Sequence, residues 1–296
     1  MSLWSHLRRW AEFVKISHTV FALPFALASM AIAARENRGW PGWRLFALIV
    51  AAMFLARTCA MTFNRIVDRK YDALNPRTAR RHLPAGEISL VSAWTLWILS
   101  AAGFVWVSAL INSLCLYLSP VALFVVCFYS LTKRFTSYTH VFLGIALALA
   151  PVGAWVAVTG SFSWQPIYLA VAVVFWLIGF DIIYAIQDYD FDRKNHLNSL
   201  VVAWGPKNAL MGAFLAHMIM WILLAAFGLF VRFRLPYFVG MGVILLCLLM
   251  EHWLARRRSL NWVNTAFFKL NAVISAVFLA VTVAEVVFTD FFRVRR

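Results

Sequence analysis

Acidic residues are scarce in this sequence, and most of them fall into two short clusters. The chain has 12 Asp and Glu against 27 Lys and Arg. The first cluster contains Asn64, Asp68 and Asp72, which follow one another at intervals of four residues. In an α-helix each step of four residues returns to within about 40° of the same face. We therefore expect one helical stripe that presents an amide and two carboxylates.

The second cluster occupies the segment 181–192. Asp181, Asp188 and Asp192 are spaced so that a continuous helix would carry them on one face, bordered by Tyr184. Both clusters come at the end of an apolar segment. This parallel suggests an internal duplication, with acidic motifs at 64–72 and 181–192.

Carboxylates brought together in this way would repel one another unless a cation lay between them. Mg²⁺ binds oxygen ligands and typically takes one or two carboxylates together with phosphate oxygens and waters. Two such stripes facing each other therefore suit a pair of Mg²⁺ ions that hold a diphosphate. The predicted metal ligands are Asn64, Asp68, Asp72, Asp188 and Asp192. The alternative is that the acids only pair with nearby Arg and Lys at the membrane surface, but the helical register of both clusters favours the metal site.

Basic residues follow the first cluster directly. A short connector bounded by two prolines carries Arg77, Arg80 and Arg81, and the planar guanidinium of arginine is well suited to phosphate. Tyr129 and Lys133 form a further pair at a spacing of four. Alone this pair is a weak signal, because an aromatic residue beside a lysine is common at membrane interfaces.

Arg57 lies inside an apolar segment, about two turns before Asn64 and on the same helical face. An arginine within a membrane needs an anionic partner. A structural ion pair would satisfy it, but few acids are available at that depth. We interpret Arg57 as a residue that binds the carboxylate of a substrate.

The elements that position these residues are predicted to be membrane helices. The composition is 63% hydrophobic and 13% charged with a mean hydropathy of +0.79, whereas soluble domains carry about 25% charged residues. A spanning helix needs roughly 20 mostly apolar residues. The sequence supplies nine such segments: 17–34, 44–65, 90–110, 113–131, 140–159, 166–187, 208–231, 236–254 and 265–289. We predict an all-α integral membrane protein, a single domain over 1–296 in which about nine helices surround a central cavity.

The formal net charge of +15 could indicate nucleic-acid binding, but the positive-inside rule explains it better. Lys and Arg concentrate on the side that also carries the acidic clusters, so we expect the acidic loops to be cytoplasmic. The first apolar segment contains Ala31-Ile32-Ala33, which is similar to a signal-peptide cleavage site. Lys15 and His18 near its start favour a retained helix instead.

Four motifs in this order resemble the UbiA superfamily of membrane prenyltransferases. They are N-x-x-x-D-x-x-x-D at 64–72, R-T-A-x-R-x-L-P-x-G at 77–86, Y-x-x-x-K at 129–133 and D-x-x-Y-A-x-x-D-x-x-x-D at 181–192. The segment 15–24 also resembles the first helix of the family, with Lys15 where many members have Arg. Within the superfamily the sequence is most similar to 4-hydroxybenzoate polyprenyltransferases and their menaquinone-pathway relatives.

The resemblance implies Mg²⁺-dependent transfer of a polyprenyl chain from its diphosphate to an aromatic acceptor. The acceptor would be 4-hydroxybenzoate or a related precursor of ubiquinone or menaquinone, and the location a bacterial inner membrane. The implied catalytic residues are Asp68, Asp72, Asp188, Asp192 and Lys133. The implied substrate-binding residues are Lys15, Arg57, Asn64, Arg77, Arg81, Tyr129, Asp181 and Tyr184.

Two alternatives stay open at this stage. One is a prenyltransferase of the same superfamily with a different acceptor. The other is an acid-lined transporter, which is disfavoured because transporters place such acids near the bilayer midplane. The expected partners are the two small-molecule substrates and membrane lipid. Neither nucleic acid nor an obligate protein partner is expected.

Overall fold

A computed structural model describes residues 3–15, 19–37, 39–256 and 260–293, and within these ranges the regular structure is helical. A short helix is followed by nine long helices and one short insertion. The α-helices are α1 Leu3–Phe13, α2 Thr19–Glu36, α3 Trp43–Leu74, α4 Leu90–Ile111, α5 Ser113–Phe128, α6 Thr139–Thr159, α7 Trp164–Ala185, α8 Tyr189–Lys194, α9 Leu200–Phe230, α10 Leu235–Arg256 and α11 Leu260–Arg293. Turns of 3₁₀-helix cover Tyr129–Arg134 and Ile186–Asp188.

The predicted helical membrane bundle is confirmed. Each of the nine apolar segments corresponds to one long helix, and eight helices in the described ranges are long and apolar enough to cross a membrane. The ninth, α2, packs against α6 and α11 in the interior of the bundle. Large apolar side chains such as Trp106, Phe124 and Leu246 are exposed on the outside, as expected for surfaces that face lipid.

Helix α1 was not anticipated, because its 11 residues are too few to span a bilayer. Phe13 is buried together with Ile66, Ile88 and Ala93, while Trp4 is exposed. The helix therefore lies across the end of α3 and the start of α4, at the level of the acidic residues.

Local sequence signals define several helix boundaries. Asn112 ends α4 and caps α5 by accepting a hydrogen bond from the amide of Cys115 at 2.8 Å. Ser199 caps α9 in the same way through Val202. Helix α9 is kinked at Gly205-Pro206, where Gly205 has a φ of 76°, a backbone conformation that favours glycine.

The core of the bundle is aromatic. Trp176 on α7 is completely buried and contacts the rings of Phe25 and Phe180. Phe25 also stacks on Phe278 of α11, with ring centroids 4.7 Å apart. These contacts fix α7 against α2 and α11, and so position the end of α7 that carries the second acidic motif.

Candidate active site

The helical bundle encloses a cavity of about 510 Å³. The structure brings together here every residue predicted from the sequence to form the site. These residues are Lys15, Arg57, Asn64, Asp68, Asp72, Arg77, Arg81, Tyr129, Lys133, Asp181, Tyr184, Asp188 and Asp192. Their individual roles stay predictions.

The first acidic lobe, Asn64, Asp68 and Asp72, lies on the last turns of α3. The helix continues without a break to Leu74, so the predicted stripe forms. The Asn64 amide donates to Asp68 Oδ2 at 2.9 Å. Asp72 Oδ1 accepts from Arg81 Nη1 at 2.7 Å, and both acids face the cavity.

The second acidic lobe, Asp188 and Asp192, does not lie on a continuous α-helix, but Asp181, Asp188 and Asp192 all line the same cavity. Helix α7 ends at Ala185, a 3₁₀ turn follows, and α8 begins at Tyr189. The tighter turn rotates Asp188 toward the connector that follows α3. Asp181 stays on α7 and lines a deeper part of the same cavity.

Two cationic segments connect the lobes. In the cationic loop, residues 75–88, Arg77 donates from Nε and Nη2 to Asp188 at 2.8 and 2.5 Å, whereas Arg81 binds Asp72. In the cationic 3₁₀ helix, Tyr129–Arg134, the Lys133 ammonium lies 3.6 Å from Asp192. Its neighbour Arg134 lies 3.4 Å from Asp68. Each cationic segment thus holds one acid of each lobe.

The ion pairs between acids and Arg or Lys that the alternative predicted are therefore present in the structure. They do not exclude a site for metal and diphosphate, because the same cations line the cavity beside the acids. Arg77 also donates to the hydroxyl of Tyr184 at 2.8 Å. Burial lowers the pKa of Arg77, but its hydrogen bonds to Asp188 and Tyr184 outweigh burial and raise that pKa above the ordinary value.

Lys15 lies in the turn after α1 and faces the same group of cations. Burial, followed by the charges of Arg65, Arg81 and Arg77, lowers the pKa of Lys15 to about 7. A cluster of cations that depresses a lysine in this way has an excess of positive charge. An anion such as a diphosphate would relieve it.

The donor set fits Mg²⁺ that is shared with a phosphate ligand. Asp72 Oδ2 and Asp192 Oδ2 are buried and have no hydrogen-bond partner among the described residues. Among the described residues, no three His, Cys, Asp or Glu side chains lie close enough together to coordinate one metal ion by themselves. Mg²⁺ rarely needs such a group, because it usually takes one or two carboxylates and completes its shell with phosphate oxygens and water.

Arg57 lies on the deeper part of α3. Its Nε is buried with no hydrogen-bond partner, and no carboxylate in the described ranges forms a salt bridge with it. Tyr129 lies close enough to interact electrostatically with Arg57, Asp68 and Asp181. Beyond these residues the cavity wall is apolar, with Met53, Phe104 and Leu118 among the side chains that line it.

Sequence reasoning missed four residues that hold the site together. Asn75 donates to Asp188 at 3.0 Å, and Arg134 and Arg65 lie beside the first lobe. His140 is 2.6 Å from Asp181. Arg65 precedes Asp72 by seven residues, and Arg134 follows Lys133, so spacing could have indicated both. Nothing local marks His140, because its partner is distant in sequence.

Two acidic lobes paired with arginine and lysine side chains line one cavity of a helical membrane bundle whose other walls are apolar, an arrangement that fits an intramembrane enzyme. The sequence model of the UbiA prenyltransferase family matches residues 22–273, so the chain belongs to this family. It is therefore a membrane-embedded prenyltransferase, and the transporter alternative is set aside.

Bacterial relatives and solved structures agree with this assignment. The chain is 33% identical over 253 residues, 83% of each chain, to a 4-hydroxybenzoate octaprenyltransferase of Methylobacillus flagellatus. It is 30% identical over 286 residues to the protein of that name in Acidovorax ebreus, covering 95% of this chain and 94% of the relative. The apo structure of a UbiA homolog from Aeropyrum pernix K1 has 30% identity and a TM-score of 0.81, covering 93% and 98% of the two chains. A UbiA homolog from Archaeoglobus fulgidus bound to GPP and Mg²⁺ has 24% identity and a TM-score of 0.72, covering 94% and 99%, and shares the fold.

Proposed function

We propose that the protein transfers a polyprenyl chain from its diphosphate to an aromatic acid in a Mg²⁺-dependent reaction. The acceptor is 4-hydroxybenzoate or a related quinone precursor. The observation that carries the proposal is a single cavity that joins two acidic lobes, a cation cluster and a deeper arginine without an acidic partner. The names of the bacterial relatives support the acceptor. The GPP and Mg²⁺ bound by the Archaeoglobus fulgidus homolog support the donor and the metal.

The diphosphate occupies the end of the cavity that holds the two lobes. Bound Mg²⁺ would supply positive charge to the departing diphosphate, with Asn64, Asp68, Asp72, Asp188 and Asp192 as its protein ligands. Arg77, Arg81, Lys133 and Lys15 supply further positive charge from fixed positions. Stabilisation of charge that develops on a leaving group is commonly the largest contribution to catalysis.

The acceptor occupies the deeper end. Arg57 binds its carboxylate, and Tyr129 lines the cavity together with Arg57. The phenolic ring then lies next to the allylic carbon as the bond to the diphosphate breaks. The apolar wall houses the isoprenoid tail and keeps water away from the allylic cation.

We propose that the acidic loops face the cytoplasm in a bacterial inner membrane, on the basis of the distribution of Lys and Arg. Cysteines introduced at Ala73 and His196 would then be labelled in intact cells only by reagents that cross the membrane. Labelling of either position by an impermeant reagent would contradict this orientation.

The function is tested by incubating membranes that contain the protein with a panel of prenyl diphosphates and aromatic acids. We expect a product whose mass equals the acceptor plus the prenyl group less one hydrogen, formed only with Mg²⁺ or Mn²⁺. Membranes with Asp188→Ala serve as the matched control. Products from aromatic compounds without a carboxylate, and none from the acids, would instead favour a different acceptor.

A further inference from the structure

One pair of ionisable side chains, Asp181 and His140, has no assigned role in the proposed diphosphate site. Asp181 Oδ2 lies 2.6 Å from Nδ1 of His140 on α6. His140 is completely buried, and its Nε2 has no hydrogen-bond partner among the described residues. The side chain of Asp181 is 22% exposed, and it lines the cavity.

Asp181 differs from the other four aspartates of the cavity. In the described ranges Asp68, Asp72, Asp188 and Asp192 each pair with an arginine or lysine, whereas the partner of Asp181 is a histidine. A carboxylate neutralised by a guanidinium is a poor proton acceptor. Asp181 retains an oxygen that the histidine does not occupy, and its side chain reaches the cavity.

The depth of Asp181 matches that of the proposed acceptor. It precedes Asp188 by seven residues, and Arg57 precedes Asn64 by seven, so each lies roughly 10 Å below its lobe. Arg57 and Asp181 both line the cavity. The two residues therefore flank one compartment from opposite helices, α3 and α7.

We propose that Asp181 takes the proton from the aromatic ring, and that His140 is the positioning residue that holds it ready. This role rests on the proposed function. A hydrogen on Nδ1, assigned from the short contact with a carboxylate, fixes Oδ2 and leaves Oδ1 to face the ring. Since His140 is buried, its hydrogen bond gives the side chain of Asp181 a fixed orientation.

The step balances as follows. The bond between the allylic carbon and the diphosphate oxygen breaks, and its electron pair leaves with the diphosphate. The ring carbon ortho to the phenolic hydroxyl donates the electron pair that forms the new carbon–carbon bond to the allylic carbon. The carbon–hydrogen bond at that position then breaks, its electrons restore the aromatic ring, and the proton passes to Asp181, which later releases it to water.

The test compares His140→Leu with His140→Asn, two side chains of nearly equal size. Asn can place an amide N–H close to the position of Nδ1, whereas Leu cannot. The acceptor carries deuterium at the ring positions beside the phenol. We expect His140→Leu to lower kcat about 10- to 100-fold, to leave both KM values within about threefold, and to introduce a primary isotope effect. His140→Asn should restore most of kcat and abolish the isotope effect.

Asp181→Asn is the second variant and should also introduce an isotope effect, with no further loss when combined with His140→Leu. If His140→Leu is not recovered in folded form, Asp181→Asn decides alone. Variants that keep full kcat without an isotope effect would overturn the role of this pair and leave the proposed function standing. Wild-type protein that prenylates no aromatic acid would overturn the proposed function and this role with it.

Discussion

The two acidic lobes occupy corresponding places in the two halves of the bundle, but they are built differently. Arg57, Asn64 and Asp68 on α3 precede Asp181, Asp188 and Asp192 by the same interval along the chain. The first lobe lies on an unbroken helix and contains an internal bond from Asn64 to Asp68. The second is interrupted by a 3₁₀ turn.

This comparison indicates where the two halves became specialised. At the lobes the two halves are alike, because each presents side chains with carboxylate or amide oxygens to the cavity. One compartment deeper they have opposite charge, since Arg57 on α3 faces the same space as Asp181 on α7. Shared chemistry thus lies at the proposed diphosphate end, and distinct roles lie at the proposed acceptor end. The internal duplication itself stays a prediction.

The largest effect should come from removing either lobe. Asp68→Ala and Asp188→Ala should each reduce transfer more than about 10³-fold, a loss above roughly 4 kcal/mol in transition-state stabilisation. Asp190→Ala is the matched control, because Asp190 lies in the same segment but is exposed. Rates of product formation measure both variants, and EDTA should reproduce their effect. Full turnover in EDTA would contradict the metal requirement. Equal losses in the Asp190→Ala control would show that the effect is not specific to the two lobes.

The second-largest effect should come from Arg57, which lies two turns before the first lobe on α3. Arg57→Ala should raise KM for the aromatic acid by roughly 30- to 150-fold, because it removes a charge-assisted hydrogen bond worth about 2–3 kcal/mol. KM for the prenyl diphosphate should barely change. Steady-state kinetics with each substrate varied in turn separate the two. A mutant that retains affinity for the acid but loses affinity for the diphosphate would place Arg57 in the phosphate site.

A smaller effect should distinguish the two arginines of the cationic loop. Arg77 bridges to the opposite lobe with two N–H groups, whereas Arg81 binds its own lobe with one. Lysine keeps the charge but cannot reproduce the two-pronged geometry. Arg77→Lys should therefore raise KM for the diphosphate about tenfold, and Arg81→Lys about two- to threefold. Equal effects of the two substitutions would show that charge alone, and not the bridge, matters.

The smallest effect should be the pH dependence caused by Lys15. Its pKa of about 7 reflects burial and the charges of Arg65, Arg81 and Arg77, and a bound anion would raise it. Binding then takes up a proton, so diphosphate affinity should fall about three- to tenfold as pH rises from 7 to 8.5. Lys15→Arg stays charged over this range and serves as the reference for titration of the ligand itself. The same slope in both proteins would contradict this assignment.

Much of the site could be predicted from the sequence because its acids have helical spacing. The stripe on α3 formed as predicted, since that helix continues through it to Leu74. The 3₁₀ turn at Ile186–Asp188 was not predicted, because it leaves the pattern of apolar residues intact. Helix packing, rather than any local motif, brings His140 to Asp181.

The sequence also did not indicate which basic side chain pairs with which acid. The sequence places Arg77 and Arg81 close together in one loop, so it gives no reason to send them to different lobes. That division depends on how α3 and α7 meet, and on Asn75, which donates to Asp188 while its Oδ1 accepts from the amide of Arg77. Such long-range choices follow from the packed bundle.

The pairing between acids and cations also means that a metal ion and a diphosphate would compete with groups of the protein itself. Four carboxylates each lie beside a basic side chain across the two lobes. A metal ion that binds these carboxylates alone competes with the guanidinium or ammonium groups, and an anion that binds the cations alone competes with the carboxylates. When the two arrive together, each takes the partner that the other releases. The proposed site would therefore discriminate against a lone phosphate or a lone metal ion and favour a lipid diphosphate that binds together with its metal ion.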